Sequence, residues 1–335
     1  MLCRKQIQIT TLVISGSISV ILIVYFSNML TNNYYTNTIR KASGCKYVGY
    51  ALPKLPFRLG NHLFFYSGVM YVAWLTGRRQ CIWIKPSSRD RRLLDEVFDF
   101  DIEYINVSTL GCPFHRFRHK GVFAYDKRVD SLIGISDSVS LLLAGHFGSW
   151  KYTQPIESQL RRHLRFRQEL IEFVADFLAG SVPPGWTTLT FVRVGVHVRR
   201  GDFLGPWEKS WGFTVVNERY LRRAMNYFVE RFTRVQFIVA SNDIKWCQKH
   251  VKLSTFNSPD VNITFSVNHN TGQDLALLAS CDHTVMTSGT YGWWAAWLAN
   301  GTTVYYSNFP KPGSSLSNHT RNNEFYRPDW VGIDD

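Results

Sequence analysis

The feature that most constrains the fold is an alternation of strand-like and helix-like segments in the second half of the chain. Strands are predicted at 191–198, 235–240, 283–286 and 303–306, and helices between them at 219–232, 274–279 and 291–298. Strands separated by helices pair in parallel, so this half predicts a doubly wound α/β sheet. Such sheets bind ligands beyond the carboxyl ends of their strands. The residues that follow each strand are therefore the first candidates for a site.

The first half of the chain has a weaker pattern. Its predicted elements are a helix over 59–76, a strand over 81–84 and one charged amphipathic helix over 154–180. A Pro-Pro-Gly run that starts at Pro183 then interrupts the chain. We therefore predict two α/β domains, over 45–183 and 184–335, which agrees with roughly 150 residues per domain.

An uncharged run over 7–26 predicts where the chain resides. A helix of 20 residues spans roughly 30 Å, the thickness of a bilayer core. Arg4 and Lys5 precede the run and the next charge is Arg40, which places the N-terminus in the cytosol. The predicted parts are a cytosolic tail over 1–6, a transmembrane signal anchor over 7–26 and a stem over 27–44. A cleaved signal peptide is the alternative, and either device sends the remainder into the secretory pathway.

Four Asn-x-Ser/Thr sequons agree with a secretory route. They begin at Asn106, Asn262, Asn300 and Asn318, and we predict glycosylation at each. Cys3 falls on the cytosolic side of the predicted anchor. The other five cysteines enter an oxidising compartment, where they can form at most two disulfides and leave one unpaired thiol. The spacing leaves the pairing open.

The net charge of +13 is a second constraint on partners. Basic chains bind nucleic acid or smaller anions. No zinc-ligand pairs, basic zipper or aromatic RNA-binding signature accompanies the charge, so we predict no nucleic-acid partner. A nucleotide diphosphate is a smaller anion that suits a basic cleft. Solvated surface charge is the alternative explanation of the surplus.

The most informative motif runs from Gly195 to Asp202, where a predicted strand ends in two arginines and a glycine turn. Side chains alternate along a strand, so His197 and Arg199 face one side and Arg200 faces the other. One arginine can then face a cleft while its neighbour braces the loop. Guanidinium suits a diphosphate because it donates in a planar fork and keeps its charge. The alternative is a solvated turn with a surface arginine pair.

Two further strand ends carry candidate ligands. Ser288, Gly289 and Thr290 lie where a strand passes into a helix, and free N–H groups at a helix N-terminus bind phosphate. The alternative there is ordinary helix capping. Asn242 and Asp243 follow another strand and could contact a base or ribose, the alternative being a plain turn.

The first half contributes two weaker candidates. Arg58, Asn61 and His62 lie where a turn enters the helix predicted over 59–76, a position that also suits simple capping. Asp99 and Asp101 form a D-x-D pair, which can hold a metal ion on a sugar nucleotide. Carboxylates two residues apart are common by chance, so we predict no metal site.

Three of these motifs together resemble the α-1,2-fucosyltransferase family. The segment His197-Val-Arg-Arg-Gly-Asp202 is similar to that family's signature, and Arg58-Leu-Gly-Asn61 resembles its N-terminal motif. The stretch from Leu277 to Ala296 is similar to its long C-terminal motif. The motifs occur in the family's order over residues 55–335, so the set is far more specific than any one of them.

The resemblance implies a GT-B-like fold of two Rossmann-type halves facing a cleft, with the donor in the C-terminal half. It implies that GDP-β-L-fucose is the donor and that O2 of a galactose in a glycan is the acceptor. It also implies inversion at fucose C1, no required metal ion, and a single-pass type II protein of the Golgi membrane with a lumenal catalytic domain. A homo-oligomer is left open.

The resemblance also assigns roles. It implies that Arg199 contacts the donor diphosphate and that His197 with Asn242 or Asp243 contacts guanine or ribose. The remaining predicted donor-side residues are Arg58, Arg200, Ser288, Gly289 and Thr290. Asp202 is the first candidate for the general base and Glu208 the second, while Asn61 orients the acceptor.

Three departures from the family pattern bear on the acceptor and the base. Position 62 is His where the family usually has Gln, position 282 is Asp where vertebrate members have Asn, and 204–211 differs from vertebrate members.

Three alternative functions remain open. They are a fucosyltransferase with another linkage (α-1,6 or protein O-fucosylation), a non-catalytic glycan-binding protein on the same fold, and a metal-dependent GT-A transferase that uses the D-x-D pair.

Overall fold

The computed structural model describes residues 45–51, 58–84, 92–99, 103–106, 111–187, 190–256 and 258–335. The predicted cytosolic tail, transmembrane anchor and stem, which together cover residues 1–44, lie outside these ranges. Within the ranges, none of the helices has both the length and the apolar character needed to span a bilayer.

The first half of the chain builds a five-stranded parallel sheet in the order β3-β2-β1-β5-β4. Its strands are β1 (Tyr47–Ala51), β2 (Arg79–Ile84), β3 (Glu103–Asn106), β4 (Phe114–Arg118) and β5 (Ser140–Ala144). Its helices are α1 (Leu59–Thr76), α2 (Arg92–Asp95), α3 (Trp150–Thr153), α4 (Glu157–His163) and α5 (Gln168–Gly180), with 3-10 helices at Lys127–Gly134 and Gln154–Ile156. The predicted bounds of α1 are confirmed.

The second half builds a six-stranded parallel sheet in the order β11-β10-β9-β6-β7-β8. Its strands are β6 (Val192–Val198), β7 (Val235–Ser241), β8 (Val261–Phe265), β9 (His283–Met286), β10 (Thr303–Tyr306) and β11 (Val331–Ile333). Its helices are α6 (Pro206–Trp211), α7 (Glu218–Val229), α8 (Ile244–His250), α9 (Thr271–Ala279), α10 (Thr290–Ala299), α11 (Ser315–Asn318) and α12 (Asn322–Phe325), with 3-10 helices at Gly201–Leu204 and Leu253–Thr255. The predicted parallel α/β sheet is confirmed.

One predicted element is wrong. Residues 154–180 do not form one helix, because the chain leaves helical geometry between α4 and α5. Its backbone there bonds to a distant segment instead: Asp99 N–H donates to Arg165 O over 2.8 Å, and Arg167 N–H donates to Val97 O over 3.1 Å. These tertiary hydrogen bonds replace the helical ones.

Helices α1 and α10 pack against each other at the centre of the molecule. Both are apolar on all sides, which is typical of buried helices, and the Phe64 ring lies 4.7 Å from that of Trp293 and 5.1 Å from that of Trp294. The closest approach is at Gly60. A Cβ there would lie 2.7 Å from backbone atoms of Thr290 and Tyr291. Only a glycine lets the two helices meet at this distance.

Segments from each half also pack on the other. Helix α5 precedes residue 184 but contacts the second half, with the Phe173 ring 4.8 Å from that of His269. The C-terminal helix α12 returns to the first half, where Ser149 Oγ donates to Glu324 O over 2.6 Å. The Phe325 ring stacks on Phe123 at 4.2 Å. The two sheets therefore share one core, and the domain limits at 183 and 184 stay a prediction.

A disulfide joins Cys45, just before β1, to Cys112, just before β4. Cys81, Cys247 and Cys281 are buried free thiols. This pairing agrees with the predicted limit of two disulfides.

We expect Gly60→Ala to lower the free energy of unfolding by roughly 1–3 kcal/mol, because the new methyl group overpacks two helix backbones. The matched control is Gly134→Ala, since nothing lies within 4 Å of a Cβ at that position. Thermal melting of the full chain checks this: Gly60→Ala should melt several degrees below Gly134→Ala. Equal melting temperatures would contradict the close contact of α1 with α10.

Candidate functional site

The N-termini of α1 and α10 meet at the carboxyl ends of the two sheets. Thr290 Oγ1 donates to Asn61 Oδ1 over 3.2 Å, which joins the first turns of the two helices. Arg58, the residue before α1, makes no side-chain capping bond, and Gly289 before α10 has no side chain to cap with. Helix N-termini carry partial positive charge and N–H groups without helical partners. Two of them side by side favour an anion.

An ionic cluster crosses the same junction. The Asp202 carboxylate pairs with Arg199 at 2.7 Å and with Arg58, from the other half, at 3.3 Å. Asn242 Nδ2 donates to its other oxygen over 3.0 Å. Two guanidinium groups share one carboxylate, so this cluster retains a positive charge. Arg58 is 62% exposed, so its ion pair is screened by solvent and adds little to stability.

Arg199 is fixed from several sides. Its backbone N–H donates to Thr287 Oγ1 over 2.9 Å, and its guanidinium lies over the Phe203 ring at 5.1 Å. Its side chain is only 14% exposed. Burial lowers the pKa of Arg199, with a smaller lowering from Arg58 and an opposing effect of Asp202. A pre-positioned, partly desolvated guanidinium of this kind is suited to binding a diphosphate.

Arg200 faces the other way, as the strand alternation predicts. Its guanidinium stacks on Trp246 at 3.8 Å and donates to Val216 O over 3.0 Å. Its Nε lies 3.6 Å from the Asp243 carboxylate. These contacts favour a bracing role over the predicted donor contact.

His197 is buried directly behind Arg199. Its ring lies 5.0 Å from that of Tyr291, and a Cβ on Gly292 would lie 2.5 Å from Nδ1. Gly292 therefore leaves room for the imidazole. Burial, and secondarily the Arg199 charge, lower the pKa of His197 to about 3. The ring is neutral at physiological pH, so it can serve as a hydrogen-bonding group but adds no charge to the site.

The other predicted donor-side residues already have partners inside the protein. Asn242 Oδ1 accepts from the Arg200 N–H over 2.9 Å, and Asp243 caps α8 by accepting from the Trp246 N–H over 3.3 Å. Ser288 Oγ donates to Thr214 O over 3.0 Å. Gly289 adopts a φ of 90°, which turns the chain into α10. Their contacts with a donor stay predictions.

The two candidates for the general base differ in their surroundings. One oxygen of the Asp202 carboxylate forms ion pairs with Arg199 and Arg58, and the other accepts a hydrogen bond from Asn242. Glu208, half-buried in α6, lies against Gly205, and its carboxylate has no hydrogen bond or ion pair with any part of the chain that the structure describes. Glu208 is therefore the carboxylate with free acceptor capacity.

Sequence reasoning missed Asp274. Its carboxylate lies in the first turn of α9 and accepts from Ser266 Oγ over 2.5 Å, just beyond β8. Burial raises its pKa to about 6, which the Ser266 hydrogen bond partly opposes. Burial raises the pKa of Tyr291, the Asp274 charge raises it further and the Arg199 charge lowers it. An acidic residue that follows a strand would have pointed to Asp274. That strand, β8, was not predicted from the sequence, so the residue was missed.

The metal and glycosylation predictions are only partly covered by the structure. Asp101 lies outside the described residues, and among those described no group of three His, Cys, Asp or Glu side chains could hold a metal ion. Asn300 and Asn318 are exposed and Asn262 is half-buried in β8. The Asn106 side chain lies outside the description. Glycosylation at all four stays a prediction.

Comparison with known sequences places these motifs in a family. The profile of glycosyl transferase family 11 matches residues 17–334. Galactoside alpha-(1,2)-fucosyltransferase 1 of Rattus norvegicus is 34% identical over 281 residues, which cover 82% of this chain and 70% of the relative. Galactoside alpha-(1,2)-fucosyltransferase 2 of Sus scrofa is 34% identical, with coverage of 83% and 78%.

Solved structures show the same mixed α/β fold at low identity. A variant of Arabidopsis thaliana FUT1 in complex with GDP has a TM-score of 0.53 and 13% identity, covering 87% of this chain and 77% of that one. NodZ alpha-1,6-fucosyltransferase co-crystallized with GDP has a TM-score of 0.50 and 14% identity, covering 79% and 96%. These likenesses concern the fold.

Because the pKa of His197 is lowered from 6.5 to about 3, the unfolded chain takes up a proton at this position before the folded chain does. Its contribution to stability is full above pH 6.5 and is lost as the pH falls toward 3, by at most about 1.4 kcal/mol per pH unit. We expect the melting temperature of His197→Gln to fall less steeply than that of the wild type between pH 6.5 and 5. Parallel profiles would contradict a buried neutral imidazole.

Proposed function

This chain belongs to glycosyl transferase family 11, and from that premise we propose that it is a galactoside α-1,2-fucosyltransferase. The donor is GDP-β-L-fucose and the acceptor is O2 of a galactose in a glycan. The relatives that carry this name match more than four fifths of the chain at about a third identity. The observation that carries the proposal is the anion site, where Arg199, Arg58 and two helix N-termini converge.

We propose a GT-B-like arrangement for the finer architecture. The donor lies at the carboxyl ends of β6, β7 and β9, and the acceptor approaches from the side of the first sheet. In support, the Arg58–Asp202 and Asn61–Thr290 contacts join the two sheets at their carboxyl ends. Ligands bind parallel sheets there.

The proposed reaction is a single inverting displacement. The galactose O2 attacks fucose C1, the bond from C1 to the β-phosphate oxygen breaks, and GDP leaves with the bonding electron pair. Negative charge grows on that phosphate, so Arg199 and the α10 N-terminus stabilise the transition state more than the ground state. The O2 proton passes to a carboxylate. Asp202 was the first candidate from sequence, but its engaged oxygens favour Glu208.

We also propose a type II Golgi membrane protein, anchored through residues 7–26. The disulfide between Cys45 and Cys112 supports an oxidising compartment. No metal ion is part of the proposal, because guanidinium groups and helix N-termini supply the positive charge. The oligomeric state is left open.

We expect the full-length chain to transfer fucose from GDP-fucose to β-galactosides in the presence of a chelator, with fucose on galactose O2. Arg199→Ala should lower kcat/KM at least about hundredfold, because it removes a donor to the leaving phosphate. The matched control is Arg162→Ala, which changes an exposed arginine on α4. Product linkage analysis and kinetics check both points.

Other results of the transfer experiment would favour one of the alternative functions. Loss of transfer with chelator would favour a metal-dependent enzyme, and fucose at another position would favour a different linkage. Galactoside binding with neither GDP binding nor transfer would favour a non-catalytic glycan-binding protein. Wild-type activity in Arg199→Ala would contradict the assigned anion site.

The two carboxylates are separated by a second pair of variants. Glu208→Gln should lower kcat by about 10²–10⁴-fold with GDP affinity unchanged, as expected for loss of a general base. Asp202→Asn should mainly change the KM for GDP-fucose, because it releases Arg199 and Arg58. A larger kcat loss in Asp202→Asn, with donor KM unchanged, would return the base to Asp202.

A further inference from the structure

Helix α6, which follows the Asp202 segment of the candidate site in the chain, carries a solvent-exposed aromatic side chain. Trp207 is 61% exposed, and Leu204 just before the helix is 37% exposed. The Trp207 ring stacks on that of Trp211, one turn further along the helix, with centroids 5.6 Å apart. Large apolar side chains grouped at the surface mark interaction sites more often than isolated ones do.

The short helix that carries Trp207 is held in place at both ends. Before it, Phe203 packs on Phe213 with ring centroids 4.5 Å apart. After it, Gly212 reverses the chain at a φ of 109° and its carbonyl accepts from the Lys311 N–H over 2.9 Å. A ring on such a support loses little conformational freedom when a ligand stacks on it.

The position of α6 relates this ring to the reacting groups. The helix begins four residues after Asp202, whose carboxylate contacts both Arg199 and Arg58. Glu208, the carboxylate with free acceptor capacity, is the next residue after Trp207. Trp207 and Glu208 are successive residues of a helix that begins four residues after Asp202, and the Glu208 carboxylate lies against Gly205.

This pair of groups matches the surface of a galactose ring. In β-galactose the axial hydroxyl at C4 leaves hydrogens of C3, C4 and C5 together on one face, and such an apolar face stacks on an aromatic ring. The hydroxyls at the rim need hydrogen-bond acceptors, which a carboxylate supplies.

We propose that Trp207 is the stacking platform for the galactose residue of the acceptor, and that it sets acceptor affinity while Glu208 receives a hydroxyl of the same sugar. The proposal rests on the proposed function, because it names the subsite for that reaction's acceptor.

The test compares Trp207→Ala and Trp207→Phe with Trp74→Ala in the full-length chain. Trp74 is the matched control because it is another exposed tryptophan, 51% exposed at the far end of α1. With methyl β-galactoside as acceptor, Trp207→Ala should raise the acceptor KM about tenfold, as expected for a lost aromatic contact. Trp207→Phe should recover most of the affinity, and the GDP-fucose KM should stay within about twofold in all three.

A direct binding measurement separates failure of this proposal from failure of the proposed function. Saturation-transfer NMR of methyl β-galactoside should show contact with the wild-type chain and with Trp74→Ala, and lose it in Trp207→Ala, even if transfer is absent. Equal acceptor KM values in Trp207→Ala and Trp74→Ala would overturn the platform. So would galactoside binding that Trp207→Ala leaves unchanged, or no galactoside binding by the wild type.

Discussion

The contact between the first turns of α1 and α10 is the interaction on which the candidate site depends. It requires a glycine at position 60, because any Cβ there would meet the backbone of Thr290 and Tyr291. It brings Arg58 and Asn61 from one sheet to Asp202 and Thr290 of the other. The site is therefore a property of how the two sheets pack, and neither half carries it alone.

The electrostatics of that junction follow from its parts. Two guanidinium groups share a single carboxylate, and the two helix N-termini meet nearby, which leaves positive charge for an anionic ligand. Burial keeps His197 neutral, so the cationic groups of this cluster are the arginines. Arg200 is used internally, stacked on Trp246, and stabilises the loop that positions Arg199.

Sequence predicted the second sheet well because its strands are apolar and its helices separate them clearly. It missed most of the first sheet: β4, for example, is mostly exposed and reads as a polar segment. The prediction that the Arg199 and Arg200 side chains face opposite sides followed from strand alternation alone. The ion pair of Asp202 with Arg58 could not be predicted, since it joins residues 144 positions apart whose meeting depends on helix packing. The break before α5 likewise arises from tertiary hydrogen bonds.

The most direct measurement of the central claim is a crystal structure of the chain with GDP. We expect the β-phosphate within hydrogen-bonding distance of the Arg199 guanidinium and of N–H groups in the first turn of α10. Helices α1 and α10 should still meet at Gly60. GDP bound elsewhere, or bound with its phosphates turned away from Arg199, would contradict this expectation.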